Sequence, residues 1–314
     1  MALAPGRRGD KLSFYRDFND KLAIETWNAQ PRPAYRSIKV TRGTPTIGAE
    51  VSGVDLTKDL SDEQLAEIRR AIAENLVLVF RDQVISNEDH KRFARHFGKL
   101  HSHVLGGAKA LSSEKRDPEV LVWKTGRESR HTAGDGWHHD VSCDAHPIWG
   151  SFLRVMELPE GGGGDTAFAN LQLAYDALSE PLKKFLDGLT AIHDGAEGWS
   201  AGYGAKPGEG ASFPASEHPV VATHPISGRK FLFVNPCFTT HIVQLPRLES
   251  DAVLQLLYKH VTSSLSFQTR IHWTPNTLLF WDNWATWHHA VWDYYPNARW
   301  GERVSAILEH GPQA

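Results

Sequence analysis

The chain predicts an α+β fold whose core is a β-sandwich or barrel. Three observations carry that expectation. Two capped helices come early, many short strand-like runs bounded by Gly, Pro and Asn follow, and one longer helix, "ESDAVLQLLYKHVTS", comes late to pack on them. No internal repeat is present.

In chain order, residues 1–37 form an N-terminal arm in which "SFYRDFNDKLAIETWNA" reads as helix and "QPRPAY" closes it. "SIKV" and "AEVSGVDL" are short strands. "LSDEQLAEIRRAIAEN" is a helix: Ser61 caps it, Gln64 completes a capping box, and Leu65, Ile68 and Ile72 share one face. "LVLVFRDQ" is a buried strand, and "SNEDHKRFARHFG" is a second capped helix stopped by Gly98. Residues 102–136 read as loop and "GSFLRVMEL" as strand. "GGGGDT" is a sharp turn into strand residues Ala167 and Phe168. "LQLAYDALSEPLKKFLDGL" is helical with a break or bend near Pro181. The Gly- and Pro-containing stretch 195–216 lacks periodicity and reads as a lid. "FLFVN", the late helix, and strands around 268–273, 277–281 and 299–308 complete a single domain over 38–314.

Composition narrows the function classes. A formal net charge of −3 gives no electrostatic reason for a nucleic-acid or membrane partner. Two cysteines, Cys143 and Cys237, make no disulfide framework and suit the cytoplasm, most simply as small buried hydrophobes. The N-terminus has arginines but no apolar core, so it does not read as a secretory signal, and no apolar run reaches the length of a membrane span. The unusual residues are 17 His and 11 Trp.

Two stretches concentrate them: "WHHD" at 137–140 and "WHHA" at 287–290. On a strand, residues i and i+2 share a face, so His138 and Asp140 converge while His139 points away. One imidazole and one carboxylate suit a divalent ion, and a third ligand would complete the facial arrangement of non-haem Fe(II) oxygenases. His288 or His289 can supply it. The following strand places Arg299, Gly301 and Arg303 on one face. Two inward arginines need anionic partners, and Gly301 between them leaves room for a ligand.

From about Ile38 to Ile307 the sequence resembles the taurine/2-oxoglutarate-dependent dioxygenases, which include taurine dioxygenase, alkylsulfatase and chlorophenoxyacetate dioxygenase. The resemblance is carried by "TIGAEVSGVDL", "LVLVFRDQ", "FGKLHSH", "WHHDVS", "GGDTAFAN", "HPVVATHPISGRKFLFVN", "CFTTHIV" and "WDN". The family pattern is His-x-Asp, then Trp-Asp-Asn followed by four residues and His, then Arg eleven residues on. His138, Asp140, His288 and Arg299 fit it, which selects His288 over His289. The resemblance implies a double-stranded β-helix (jelly roll) with flanking helices, and Fe(II) held by His138, Asp140 and His288. It also implies 2-oxoglutarate as cosubstrate, its far carboxylate on Arg299 and Thr166. O2 is consumed, succinate and CO2 leave, and a small anionic organic substrate is hydroxylated, with or without loss of a heteroatom group.

His103 and Arg303 match the positions that hold the sulfonate in taurine dioxygenase, and Phe238 matches a pocket wall. Gly134 and Cys143 depart from that enzyme's asparagine and aromatic, and its tyrosine after the His segment is missing, so taurine itself fits poorly. Trp284 and Trp287, where the family has Arg and small or polar residues, point to a more apolar or bulkier sulfonate, sulfate ester or carboxylate. Homo-oligomers are common in the family. Two rivals, a zinc hydrolase and a non-catalytic metal-binding barrel, would need neither Arg299 nor Thr166.

Overall fold

Two β-sheets face each other across the middle of the chain. The larger runs in the order Lys39–Arg42, Ala49–Ser52, Val77–Phe80, Leu278–Asp282, Gly150–Glu157, Arg299–Ile307 and Lys99–Leu100, with Leu121–Thr125 also paired to Arg299–Ile307. The smaller has Thr166–Asn170 between Gln268–Ile271 and Thr286–Ala290. Phe168 from the small sheet meets Trp281 from the large one at 5.6 Å between ring centroids. This is the expected jelly roll, in a computed structural model that describes residues 18–102, 117–132, 134–203 and 212–314.

Local chemistry explains the outer helices. Asp62–Asn75 begins with a full capping box between Ser61 and Gln64, and Asn87–Arg95 begins with another between Ser86 and Asp89. Leu65, Ile68 and Ile72 are buried as their spacing predicts. Val77–Phe80 and Leu278–Asp282 are buried on both faces, which is why they read as unbroken apolar runs. Phe93 and Phe97 of the second helical segment lock onto this sheet. Phe93 lies edge-on to Phe152 at 5.6 Å, and Phe152 stacks on Phe280 at 4.2 Å.

Two expectations need correction. The stretch 102–136 is not wholly loop: Leu121–Thr125 is a strand, and it pairs along Arg299–Ile307. Within 195–216, Gly195–Tyr203 is a helix started by Asp194 Oδ1, which accepts the Ala196 amide at 2.7 Å. Ala215–Pro219 is a strand paired with Thr190–Asp194, and 204–211 lie outside the described residues. The "LQLAYDALSEPLKKFLDGL" segment does break near Pro181, between Leu171–Asp176 and Glu180–Leu186, with the proline in the second helix's first turn, where it is tolerated. The arm's helix is Phe18–Asn28, and it packs on Leu171–Asp176. Trp27 is buried there with the Arg229 guanidinium 4.3 Å from its ring centroid. No helix among the described residues is long and apolar enough to cross a membrane.

Candidate active site

The two histidine stretches are joined by backbone. His138 N–H donates to the His288 carbonyl at 3.1 Å and His288 N–H returns the bond at 3.0 Å. Opposed residues in such a pair put their side chains on the same face, and the two imidazole centroids lie 4.1 Å apart. His288 is further wedged between Trp281 at 5.0 Å and Phe168 at 6.1 Å. His138 Nδ1 donates to the Gly136 carbonyl at 2.8 Å, a tautomer assigned from that bond, which leaves Nε2 as the free lone pair.

Asp140 completes the group, by a route that strand alternation does not describe. Residues 139–141 leave the bridge and turn, with Val141 at φ 47°. Asn283 of the "WDN" motif fixes the turn. Its Oδ1 accepts the Asp140 amide at 2.8 Å, and its Nδ2 donates to the Asp140 and Ile148 carbonyls at 3.0 and 2.8 Å. The Asp140 carboxylate then lies 3.7 Å from His138 Nε2 and 3.5 Å from His288 Nε2, and accepts Ser151 Oγ at 3.2 Å. One ligand atom from each of the three falls within 4.8 Å of the others. His139 turns away to Phe233 at 4.8 Å, and His289 faces Asp135 at 3.7 Å and Trp137 at 5.6 Å. Neither joins the trio.

The electrostatics suit a divalent cation. Burial holds the His138 imidazole below its ordinary value and the His288 imidazole well below it, so both present lone pairs. Burial alone would raise the Asp140 carboxyl, but the Arg303 guanidinium beside it pulls it below the usual carboxylate range. Two neutral imidazoles and a carboxylate in a buried pocket fit Fe(II) in donor type and number.

Arg299 is 3% exposed and boxed by Trp123, Trp273 and Tyr294, with its guanidinium carbon 4.5, 5.7 and 5.9 Å from their ring centroids. Its Nε and Nη2 find no hydrogen-bond acceptor among the described residues. Burial lowers its pKa, yet a guanidinium stays charged, so these donors are expensive to leave alone. Thr166 is buried beside this box and accepts Trp273 Nε1 at 3.1 Å. Gly164, at φ +72°, lets the glycine-rich turn pass over the arginine, since a Cβ there would lie 2.8 Å from Arg299 Cδ. The space at Gly301 is used differently from expectation. A Cβ there would sit 2.7 Å from the Arg154 carbonyl and 2.8 Å from the Trp123 ring, so the glycine admits the indole and no ligand.

Arg303 pairs through Nη1 with Asp140 Oδ1. Phe238 is half-buried, with its ring filling the place of a side chain at Gly198, and its neighbour Cys237 contacts the Trp137 carbonyl at 3.5 Å, just before the metal motif. His103 lies outside the described residues. Trp284 and Trp287 are not pocket residues. Both are fully buried and spend their indole N–H groups on the Pro147 and Val234 carbonyls at 3.2 and 2.9 Å. Sequence reading missed Asn283, Ser151, Trp123, Trp273 and Tyr294. The run "VLVWK" before Thr125 carried a strand signal that would have exposed Trp123.

Comparison with known proteins agrees with this geometry. The chain is 37% identical over 265 residues to the alpha-ketoglutarate-dependent sulfonate dioxygenase of Saccharomyces cerevisiae, covering 82% of this chain and 63% of that one. It is 30% identical over 285 residues to the alkylsulfatase of Acinetobacter baylyi, covering 87% of this chain and 86% of that one. The crystal structure of a taurine dioxygenase from Burkholderia xenovorans superimposes with a TM-score of 0.72 at 35% identity, over 87% of this chain and 90% of that one. Residues 39–305 match the model of the taurine catabolism dioxygenase TauD, TfdA family. The chain belongs to that family of alpha-ketoglutarate (2-oxoglutarate)-dependent dioxygenases.

Proposed function

We propose that His138, Asp140 and His288 hold Fe(II), that Arg299 and Thr166 hold the far carboxylate of 2-oxoglutarate, and that Arg303 and Phe238 face the substrate. The observation that carries this reading is the pair of nitrogens on the buried Arg299 that find no acceptor among the described residues. A zinc hydrolase has no use for them. Bound Fe(II) with 2-oxoglutarate supplies an oxidant from O2, so that a substrate C–H becomes C–OH while succinate and CO2 leave. The chain's own residues orient the two acids and exclude water.

Charge balance supports a small anionic substrate. A divalent ion with Asp140, Arg299 and Arg303 carries three net positive charges in a pocket where both imidazoles are neutral. The two carboxylates of 2-oxoglutarate cancel two, and a monoanionic sulfonate, sulfate ester or carboxylate cancels the last. Relatives named for sulfonates, sulfate esters and dichlorophenoxyacetate fit that balance. Phe238, and Trp199 facing Phe213 at 5.5 Å, supply an apolar wall for the remainder of the substrate. The helix Gly195–Tyr203 carries part of that wall and is the portion of the expected lid to which we assign a substrate role. Free Cys143 and Cys237 suit a cytoplasmic protein, and the family supports a homo-oligomer, which light scattering would check.

The test is an anaerobic titration with Fe(II) and 2-oxoglutarate, followed by the visible charge-transfer absorption of the chelate. Succinate release is then measured with alkanesulfonates, alkyl sulfates and aryloxyacetates added singly under O2. A band in the native protein that is lost in Arg299→Ala is expected. Iron-loaded, folded protein without a band would overturn the reading.

A further inference from the structure

We propose that Arg303 is the resident cation of the metal centre. It exchanges with the metal for Asp140, and the guanidinium released by metal binding becomes available to the substrate's anionic group. The proposal rests on the reading of His138, Asp140 and His288 as metal ligands and adds an order of assembly to it.

Both Asp140 oxygens are engaged. Arg303 Nη1 takes Oδ1, the same oxygen that lies 3.7 Å from His138 Nε2. The other accepts Ser151 Oγ at 3.2 Å and lies 3.5 Å from His288 Nε2. The guanidinium therefore holds the carboxylate oxygen on the His138 side, at the edge of the space a metal shared by the three residues would fill. A buried carboxylate requires a positive partner, and among the described residues Arg303 is the cation that reaches it. A divalent ion and a guanidinium on one carboxylate repel, strongly so where water is excluded. Binding of one must loosen the other.

Arg303 is also incompletely satisfied where it stands. Its Nε is buried without an acceptor among the described residues, whereas Arg154, one strand away, has Glu302, Asn87 and the Ile85 carbonyl around its guanidinium. A residue placed only to hold Asp140 would be expected to have its remaining donors occupied, as Arg154 does. A residue that leaves keeps donors for its second partner. By reciprocity, an anion that draws Arg303 away must tighten metal binding by the same factor that the metal tightens anion binding.

The test uses the full chain, freed of metal by a chelator, with Mn(II) alone as probe. Arg303→Gln is expected to melt at a lower temperature than the native chain when metal-free, yet to bind Mn(II) about tenfold more tightly, because Asp140 no longer has to be vacated. Methanesulfonate is expected to strengthen Mn(II) binding in the native chain and to leave Arg303→Gln unaffected. A crystal structure with Mn(II) should show Arg303 off Asp140. If Arg303→Gln does not fold without metal, Arg303→Lys serves: it keeps a charge but not the fork, and is expected to bind Mn(II) more tightly than the native chain by a smaller factor. Equal or weaker Mn(II) binding in folded variants, or Arg303 still on Asp140 beside the metal, would overturn the exchange. Neither result touches the 2-oxoglutarate chelate, whose loss would overturn the dioxygenase reading and leave the exchange standing.

Discussion

The two faces of one strand, Arg299–Ile307, use buried arginines in opposite ways. On the outer face Glu302 meets Arg154 of the neighbouring strand, 2.6 Å from Nη2 and 3.1 Å from Nε, with Asn87 and the Ile85 carbonyl completing the guanidinium's shell. On the inner face, among the described residues, Arg299 has two nitrogens without acceptors and Arg303 has one. All three arginines are largely buried. The difference teaches where structure ends and site begins: a satisfied buried charge holds the sheet together, and an unsatisfied one is aimed at something that arrives later.

Substitutions should separate the faces. The largest effect is expected at the ligands: His138→Ala or His288→Ala should abolish Mn(II) binding, seen as loss of the metal-induced rise in melting temperature, while His289→Ala keeps it. On the outer face, Glu302→Gln strands a buried guanidinium and should lower unfolding free energy by about 3–5 kcal/mol in denaturant titration. An Arg154→Met, Glu302→Leu double variant should regain most of it. On the inner face Arg299→Gln should leave stability within about 1 kcal/mol, since its Nε and Nη2 have no acceptor among the described residues to lose. It should weaken 2-oxoglutarate binding by about 2–5 kcal/mol, measured by the chelate band. If Arg299→Gln instead destabilised the fold as much as Glu302→Gln, the contrast between faces would collapse.

Acid should act on the supports behind both faces. Burial pushes His90, bonded to the Phe152 carbonyl, and His193, bonded to Ser142, from 6.5 to about 3. Their folded pKa values lie below the unfolded value, so the unfolded chain binds the extra protons, and stability drops as pH falls below about 6.5. Each contributes roughly 1.4 kcal/mol per pH unit until its folded pKa is approached, readable as a falling urea midpoint between pH 7 and pH 5. The smallest effect is expected at Ser151→Ala, which removes one hydrogen bond to Asp140 and should cost about 0.5–1.5 kcal/mol in the metal-free protein.

Much of the site was legible in the residue order because its key spacings are short. The His-x-Asp pair, the four residues between "WDN" and His288, and the eleven from His288 to Arg299 all lie within a few turns of chain. Strand alternation put His138 and Asp140 together, as the structure does, although the segment is a single bridge followed by a turn. The same alternation gave the inner face of Arg299 and Arg303 but misread Gly301, whose space belongs to Trp123. Trp284 and Trp287, taken from their contrast with the family as a sign of a bulkier substrate, point into the core, because neighbours on the Thr286–Ala290 strand face opposite ways and Trp284 precedes it in a turn.

By itself the sequence determined the capping box at Ser61, the cap at Ser86, the apolar runs of the central strands, and the grouping of His138 with Asp140 and of Arg299 with Arg303 that the proposed site uses. Each depends on spacings that fix which side of a helix or strand a residue occupies. Only the tertiary structure decided that Asn283 clamps Asp140 from 143 positions away, that Trp123, Trp273 and Tyr294 box Arg299, and that Glu302 finds Arg154 across 148 positions. Those contacts form when separate strands reach one register in the folded sheets. No window of sequence contains that register, because chain closure and packing of the whole barrel set it.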